Sequence, residues 1–156
     1  MKDITLGLVG VGRIGVMHAR NIASLNSVLR PQGINVSLRL TDVAADHART
    51  IAAELGAGFL PTVDSLLASG LDGLVIATGT GTHPPLIQAG VDAGIPVFCE
   101  KPVAMNVADS LPVLDYVRAR GGTVQIGHQR RFDPATSRLS ARSTPASWAG
   151  FIHCAP

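Results

Sequence analysis

The sequence predicts an α/β protein built on a doubly wound parallel sheet. Short runs rich in Val, Ile and Leu, each of strand length, alternate along the chain with stretches whose apolar residues recur at helical spacing. Strands that are apolar throughout and are separated by helices indicate a parallel sheet covered on both faces. The first apolar run leads directly into a glycine-rich segment, which strengthens the prediction because nucleotide-binding folds of this class often begin in that way.

The strands are predicted from apolar runs bounded by turn residues. In chain order these runs are ITLGLVG (4–10), VSLRLTDV (36–43), GFL (58–60), DGLVIAT (72–78), IPVFC (95–99) and TVQIG (123–127). The segment NSVLRPQGIN, ahead of the second run, is predicted to be a loop that turns at Pro31 and Gly33.

The helices are predicted from the periodic stretches between these runs, at residues 13–25, 45–56, 63–69, 83–94 and 108–121. In the first helix, the apolar residues that fall near one face are Ile14, Met17, Ile22 and Leu25. Helix boundaries are marked by glycines at expected C-terminal caps and by prolines in a first turn, namely Gly56, Gly94, Gly121, Pro84 and Pro85.

Length and composition limit the class of protein. The 156 residues suffice for one domain with a real core, and a second full domain does not fit. A net charge of +2 and 4% aromatic residues argue against a nucleic-acid or anionic-membrane partner. The two cysteines are too few for a disulfide framework, and the N-terminal segment fits a signal peptide poorly and is too short for a membrane span. The expected location is therefore the cytoplasm.

The segment GVGRIG places glycines between the first strand and the first helix. In this pattern Gly10 permits a tight turn, Gly12 lets a diphosphate approach the backbone, and Gly15 lets the helix pack close to the strand. Arg13 and Ile14 complete the predicted phosphate-binding segment, where amide groups and the helix dipole attract anions. The alternative is a glycine-rich turn without a ligand.

Asp42 ends the second predicted strand, where nucleotide-binding folds place an acid for the ribose hydroxyls. A carboxylate there repels a 2′-phosphate, so NAD is favoured over NADP. Arg39 and Arg49 are the residues that would reverse this preference. The alternative role of Asp42 is a helix cap or a turn acid.

The segment CEKP follows the fifth predicted strand. Because ligands bind outside the carboxyl ends of parallel strands, Lys101 is expected beside the reacting end of the dinucleotide. A lysine there can hydrogen-bond a substrate hydroxyl and help to deprotonate it, while Pro102 fixes the backbone. Glu100 is expected either to orient the lysine or to contact the cofactor ribose. For Lys101 the alternative is a solvated surface residue.

Four segments in this order, GVGRIGVMHARNI, LVIATGTGTH, VFCEKPVA and VQIGHQRRFDP, resemble the Gfo/Idh/MocA oxidoreductases from about residue 3 to about residue 134. The resemblance implies an NAD(P)-binding Rossmann half with Lys101 at the reacting centre. It implies a cis Lys101–Pro102 bond and cofactor contacts from Gly10, Gly12, Gly15, Asp42, Thr78, Thr82, His83 and Glu100. Gly79 departs from the proline that is common in the family, so a looser loop is expected.

The RRFD stretch looks most like the inositol 2-dehydrogenase branch, which implies a cyclic polyol or sugar substrate. The candidate substrate residues are Lys101, Gln125, His128 and Arg131. A solvated basic patch is the alternative for Arg130 and Arg131, and a capping or surface residue is the alternative for His83. His18 and His47 are predicted to lie on the surface.

Two regions are predicted: an NAD(P)-binding domain at 1–134 and an irregular tail at 135–156. Members of the family carry a second domain that supplies an Asp and a His for proton transfer, and this chain is predicted to lack it. Our hypothesis for the tail is a shifted reading frame after Pro134, because another frame yields a family-like phrase. Weak activity or none, and self-association, are expected. The alternative is a stand-alone NAD(H)-binding module that acts as a sensor or pairs with a separate catalytic chain.

Overall fold

Six parallel strands form one sheet in the computed structural model, which describes residues 1–128. The strands are Lys2–Val9 (β1), Ile34–Thr41 (β2), Gly58–Phe59 (β3), Gly73–Ile76 (β4), Val97–Glu100 (β5) and Val124–Gly127 (β6). The helices are Arg13–Leu29 (α1), Ala45–Leu55 (α2), Val63–Leu67 (α3), His83–Asp92 (α4) and Val107–Ala119 (α5), with short 3-10 turns at Arg30–Gln32 and Thr80–Thr82. The predicted α/β class is confirmed. The predicted tail at 135–156, together with Arg130 and Arg131, lies outside the described residues.

The strand order is β3-β2-β1-β4-β5-β6. The chain therefore moves outward from β1 to one edge of the sheet, returns to the other side of β1, and moves outward again. This order is the doubly wound arrangement, and the direction reverses between β1 and β4. Crevices at such a reversal are the usual ligand sites of open parallel sheets.

Each face of the sheet has its own apolar core, because successive strand residues point to opposite sides. Leu8 of β1 packs with Leu40 and Ile51 beneath α1 and α2. Its neighbour Val9 packs with Ile76 and the residues contributed by α3, α4 and α5. Coverage of both faces explains why the strands are apolar at nearly every position. None of the helices described within residues 1–128 is both long and apolar enough to cross a membrane.

Helix α1 differs from the prediction in length. It continues to Leu29, where the sequence was predicted to form a loop. The side chain of Asn26 explains the extension, because it donates to the carbonyl of Val36 at 2.6 Å and accepts from the amide of Val36 at 2.7 Å. These bonds hold the last helical turn against β2. The turn itself is tighter than predicted and ends at Gly33, which has a φ of 80°.

Of the four apolar residues predicted to share one face of α1, only Ile22 is buried. Gly15, Ala19 and Ile22 are buried, whereas Met17 is 50% exposed and Leu25 is 38% exposed. The helix lies so close to the sheet that small residues occupy most of the contact. Size, rather than hydrophobicity alone, therefore decides which face of α1 is buried.

The predicted helix punctuation is confirmed. Gly56, Gly94 and Gly121 follow helix ends with φ values of 63°, 68° and 62°, which non-glycine residues rarely adopt. Helix α4 begins with proline in its first turn, as predicted.

Candidate functional site

The residues predicted to bind the cofactor meet at the carboxyl edge of the sheet. Val9 pairs with Thr41 on one side and with Ile76 on the other, and Glu100 pairs with Gly127. The residues that follow these strand ends therefore leave the sheet at one edge. They include the glycine loop, Asp42, the β4–α4 turn and Lys101. Parallel strands bring these separate segments of the chain together.

The glycine loop is held tightly at both ends and is open in the middle. Gly10 has a φ of 92°, and a Cβ there would lie 2.7 Å from the carbonyl oxygen of Ala77. A Cβ on Gly15 would lie 1.9 Å from the carbonyl oxygen of Gly10, so no side chain fits between the loop and α1. A Cβ on Gly12 would meet no atom within 4 Å. The tight turn and the close helix packing predicted for Gly10 and Gly15 are confirmed.

The N-terminus of α1 is left without a protein cap. Gly12 occupies the cap position and has no side chain to accept from the first helical amides, and the first turn contains no acid. In α3 and α5, by contrast, Thr62 and Asn106 accept hydrogen bonds at the same position. Arg13 and Ile14 are exposed at the start of α1. The positive end of this 17-residue helix thus faces the open space above Gly12, an arrangement suited to an anion.

Asp42 connects the glycine loop to α2. Its Oδ2 accepts from the amide of Val11 at 2.6 Å, and its Oδ1 accepts from the amide of Ala44 at 2.8 Å. The turn role considered from the sequence is therefore present in the structure. Each carboxylate oxygen has a second lone pair, so these bonds leave acceptor capacity for further donors. Asp42 is half-buried, beside the fully exposed Val43.

His47 lies against the same loop. Its Nε2 is 3.1 Å from the carbonyl oxygen of Val11, although the residue as a whole is exposed. His47 was predicted to lie on the surface, and its exposure confirms that prediction, but its contact with Val11 was not predicted. The prediction treated α2 in isolation, whereas the contact depends on how α2 packs beside the loop.

The turn after β4 is ordered by two threonines. The hydroxyl of Thr82 lies 2.7 Å from the Thr78 hydroxyl and 2.8 Å from the carbonyl oxygen of Gly79, and its single proton can go to either. Gly79 has a φ of −69° and a ψ of 141°, and a Cβ there would meet nothing within 4 Å. This is the backbone conformation that proline prefers. The turn therefore keeps the geometry that proline would impose, without proline's restriction of the unfolded chain.

Replacing Gly79 with proline should stabilise the protein by about 0.4–1 kcal/mol, because proline restricts the unfolded chain more than the folded one. Urea unfolding followed by circular dichroism measures this difference. Gly81→Ala, in the same turn with open space around its Cβ position, tests the same effect at a second glycine and should raise the midpoint by a similar amount. A lower midpoint for Gly79→Pro than for the wild type would contradict the expectation.

His83 joins two loops from inside the protein. It is 1% exposed, with Nδ1 lying 2.7 Å from the carbonyl oxygen of Pro102 and Nε2 lying 3.2 Å from that of Thr78. The surface alternative for His83 is therefore wrong, because the ring is buried between the β4–α4 turn and the segment after β5. Its ring nitrogens contact backbone oxygens, so it supports the two loops that flank the cleft.

Glu100 and Lys101 have different surroundings. The Oε1 of Glu100 lies 2.8 Å from Nε2 of His18, and its side chain is only 16% exposed. His18 was predicted to lie on the surface, and this contact corrects that prediction. Lys101 is exposed, and its ammonium group has no acidic partner among residues 1–128. The Lys101–Pro102 bond is cis, as the family resemblance implied.

Cys99 lies directly before this pair but is not available as a nucleophile. It is fully buried, and burial, followed by the charge of Glu100, raises the pKa of its thiol to about 12. The thiol is therefore protonated at neutral pH and belongs to the core beneath α4 and α5.

Two of the candidate substrate residues, Gln125 and His128, lie at different distances from the carboxyl end of β6. Gln125 pairs with Phe98 within the sheet, two residues before the edge, and is exposed. His128 follows the last residue of β6 and is exposed at the edge itself. Arg131 lies outside the described residues. The strand thus brings His128 to the same edge of the sheet as Lys101, whereas Gln125 lies within the sheet, away from that edge.

Comparison with known proteins identifies the family of this arrangement. Residues 4–128 match the family model GFO_IDH_MocA, described as an oxidoreductase family with an NAD-binding Rossmann fold. An inositol 2-dehydrogenase of Acidothermus cellulolyticus is 36% identical over 143 residues, and a UDP-N-acetylglucosamine 3-dehydrogenase of Acidithiobacillus ferrooxidans is 30% identical over 139. The first alignment covers 90% of this chain and 40% of the relative, and the second covers 89% and 41%.

Solved structures agree with this assignment. The crystal structure of a myo-inositol dehydrogenase from Corynebacterium glutamicum superposes with a TM-score of 0.77 at 32% identity, over 90% of this chain and 40% of that one. The chain thus spans about 40% of the length of the curated relatives named above. Through residues 4–128, the chain belongs to the Gfo/Idh/MocA family of oxidoreductases with an NAD-binding Rossmann fold.

Proposed function

We propose that this chain is the cofactor-binding half of an NAD-dependent sugar or polyol dehydrogenase. Such an enzyme transfers a hydride between a secondary alcohol and the nicotinamide ring. The proposal goes beyond family membership, because the chain spans about 40% of its curated relatives. An inositol-like substrate is favoured over a nucleotide sugar because two inositol 2-dehydrogenases are 36% and 33% identical to this chain, whereas the UDP-N-acetylglucosamine 3-dehydrogenase is 30% identical.

One observation carries the proposal: the uncapped start of α1 faces open space above Gly12, in line with Asp42 and Lys101 at one sheet edge. A dinucleotide fits the donors present, since its diphosphate needs amide groups and a positive helix end. NAD, when bound, supplies the hydride acceptor at its nicotinamide ring. Gly10 and Gly15 keep the loop in the shape that leaves this space open.

The charges near Asp42 favour NAD over NADP. The Asp42 carboxylate would repel a 2′-phosphate, and the two arginines considered as its counter-charges, Arg39 and Arg49, have other partners. Arg39 donates to the carbonyl of Ser69 on the far side of β2. Arg49 pairs with Asp46 at 3.4 Å, with its guanidinium 4.8 Å from the centre of the Phe59 ring. Neither side chain is held toward Asp42.

Lys101 is the residue proposed to act on the substrate. Its ammonium group is exposed at the edge where the nicotinamide end is expected. A lysine in this place donates a hydrogen bond to the substrate oxygen and stabilises the negative charge that develops there as the hydride leaves. Because Glu100 is bonded to His18, the lysine is not neutralised by its neighbour in the sequence.

Titration of the chain with NADH and NADPH tests the proposal. We expect saturable NADH binding, and at least about tenfold weaker NADPH binding, which corresponds to about 1.4 kcal/mol. Asp42→Asn should reduce this discrimination to about twofold or less, because it removes the charge that opposes the 2′-phosphate. Glu54→Gln is the matched control, since Glu54 is an exposed acid near the end of α2 and should leave the ratio unchanged.

The outcomes separate the candidate functions. NADH binding together with polyol oxidation would show a complete enzyme. NADH binding without oxidation would favour a binding half or a sensor of NAD(H). Absence of NADH binding up to about 1 mM, the upper end of ordinary Michaelis constants, would contradict the proposal.

A further inference from the structure

We propose that His18 is a positioning residue for Glu100, and that this contact fixes the turn that presents Lys101. The inference rests on the proposed function, because it assigns His18 to the cofactor end of the cleft. It starts from a contact between two residues that lie 82 positions apart in the sequence. No motif read from the sequence connects them.

The geometry of the contact defines its chemistry. Nε2 of His18 lies 2.8 Å from Oε1 of Glu100, with the two side chains 20% and 16% exposed. An ionised carboxylate only accepts hydrogen bonds, so the proton must reside on Nε2 of the imidazole. Bonds to a charged acceptor are shorter and stronger than neutral ones, and partial burial limits competition from water. The hydrogen bond therefore runs from Nε2 of His18 to Oε1 of Glu100.

The surroundings leave little alternative space for either side chain. The Phe98 ring meets the His18 ring edge-on, with centres 5.6 Å apart and planes at 68°. Phe98 and Glu100 lie on the same side of β5, because they are two residues apart. On the neighbouring strand, a Cβ on Gly127 would lie 2.7 Å from Phe98 Cζ and 3.4 Å from Glu100 Oε1. The absence of a side chain at Gly127 is thus what makes room for this cluster.

The contact links the two halves of the predicted cleft. His18 lies three residues after Gly15, on the helix whose start closes the glycine loop. Glu100 is the last residue of β5 and directly precedes Lys101. Holding the carboxylate on the α1 side of the sheet keeps it from neutralising the lysine. It also ties the start of α1 to the turn after β5, so that both ends of the cofactor site move as one unit.

Variants of matched size test the proposal. His18→Leu removes the donor but fills the space, whereas His18→Gln retains an amide N–H at similar reach. We expect His18→Leu to raise the dissociation constant for NADH about fivefold to twentyfold, a loss within the overall range of a single hydrogen bond. His18→Gln should stay within about threefold of the wild type. Asn21→Ala, on the exposed side of the same helix, should have no effect.

A double-mutant cycle shows whether His18 acts through Glu100. If it does, His18→Leu combined with Glu100→Ala binds NADH no more weakly than Glu100→Ala alone. Losses that multiply in the double variant, or a His18→Gln variant as weak as His18→Leu, would overturn the proposal.

The same cycle without cofactor separates this inference from the proposed function. In the free protein, the decreases in melting temperature for His18→Leu and Glu100→Ala should be less than additive, since each removes the same contact. A wild type that fails to bind NADH would refute the proposed function and leave this measurement intact. Additive decreases would refute the His18–Glu100 coupling, whatever the cofactor result.

Discussion

Replacing Gly15 with alanine should destabilise the protein by at least about 3 kcal/mol and abolish measurable NADH binding, because the new methyl group has no room. Its position would be 1.9 Å from the carbonyl oxygen of Gly10 and 2.8 Å from the carbonyl carbon. These are backbone atoms, and Gly10 cannot move aside, since its amide donates to the carbonyl of Thr41 at 2.9 Å. Helix α1 would have to shift away from the sheet.

Gly12→Ala is the matched control and separates folding from binding. A Cβ on Gly12 meets nothing within 4 Å, and its φ of −64° suits any residue, so stability should stay within about 1 kcal/mol. The methyl group would nevertheless occupy the open space above the helix start, so NADH binding should fall at least about tenfold. Urea unfolding and NADH titration of both variants give the four values needed. Normal NADH binding by Gly12→Ala, or normal stability of Gly15→Ala, would contradict the structural assignment of the loop.

Replacing His83 with alanine is the second change with a large expected effect. The free energy of unfolding should fall by about 2–4 kcal/mol, because the change leaves a cavity and removes the partner of a buried carbonyl group. The imidazole is 1% exposed and reaches Pro102 and Thr78, so both loops beside the cleft lose a support. NADH binding should weaken as well, because both loops that flank the cleft lose this support.

Thermal unfolding of His83→Ala and His128→Ala provides the comparison. His128 is exposed after β6, and its replacement should change stability by no more than about 0.5 kcal/mol. If His83→Ala unfolded at the same temperature as the wild type, the buried bridge between the two loops would not exist in solution.

The sequence was sufficient for the order of the elements and for the glycine loop, because both are local. Alternating apolar runs predict each strand directly, and the spacing of Gly10, Gly12 and Gly15 reflects contacts within one turn of chain. The length of α1 was wrong, since its last turn is held by Asn26 contacts to β2. A helix end that depends on a neighbouring strand has no local signal.

The contacts of two histidines could not be predicted from the sequence. His18 and His47 lie in helical stretches, and helical spacing alone could not show that one reaches Glu100 and the other reaches Val11. Both contacts depend on which strands are neighbours in the sheet. A signal for His18 was available in its position three residues after Gly15, on the helix that must lie against the sheet. That position indicates a contact with Glu100 only when the order of the strands in the sheet is known.

The most direct measurement is a crystal structure of the chain grown with NADH. We expect the diphosphate against the amides that follow Gly12, the adenine ribose within hydrogen-bond distance of Asp42, and the nicotinamide ring beside Lys101. A dinucleotide bound at any other edge of the sheet, or a Lys101 side chain directed away from the ring, would contradict the proposed cofactor site.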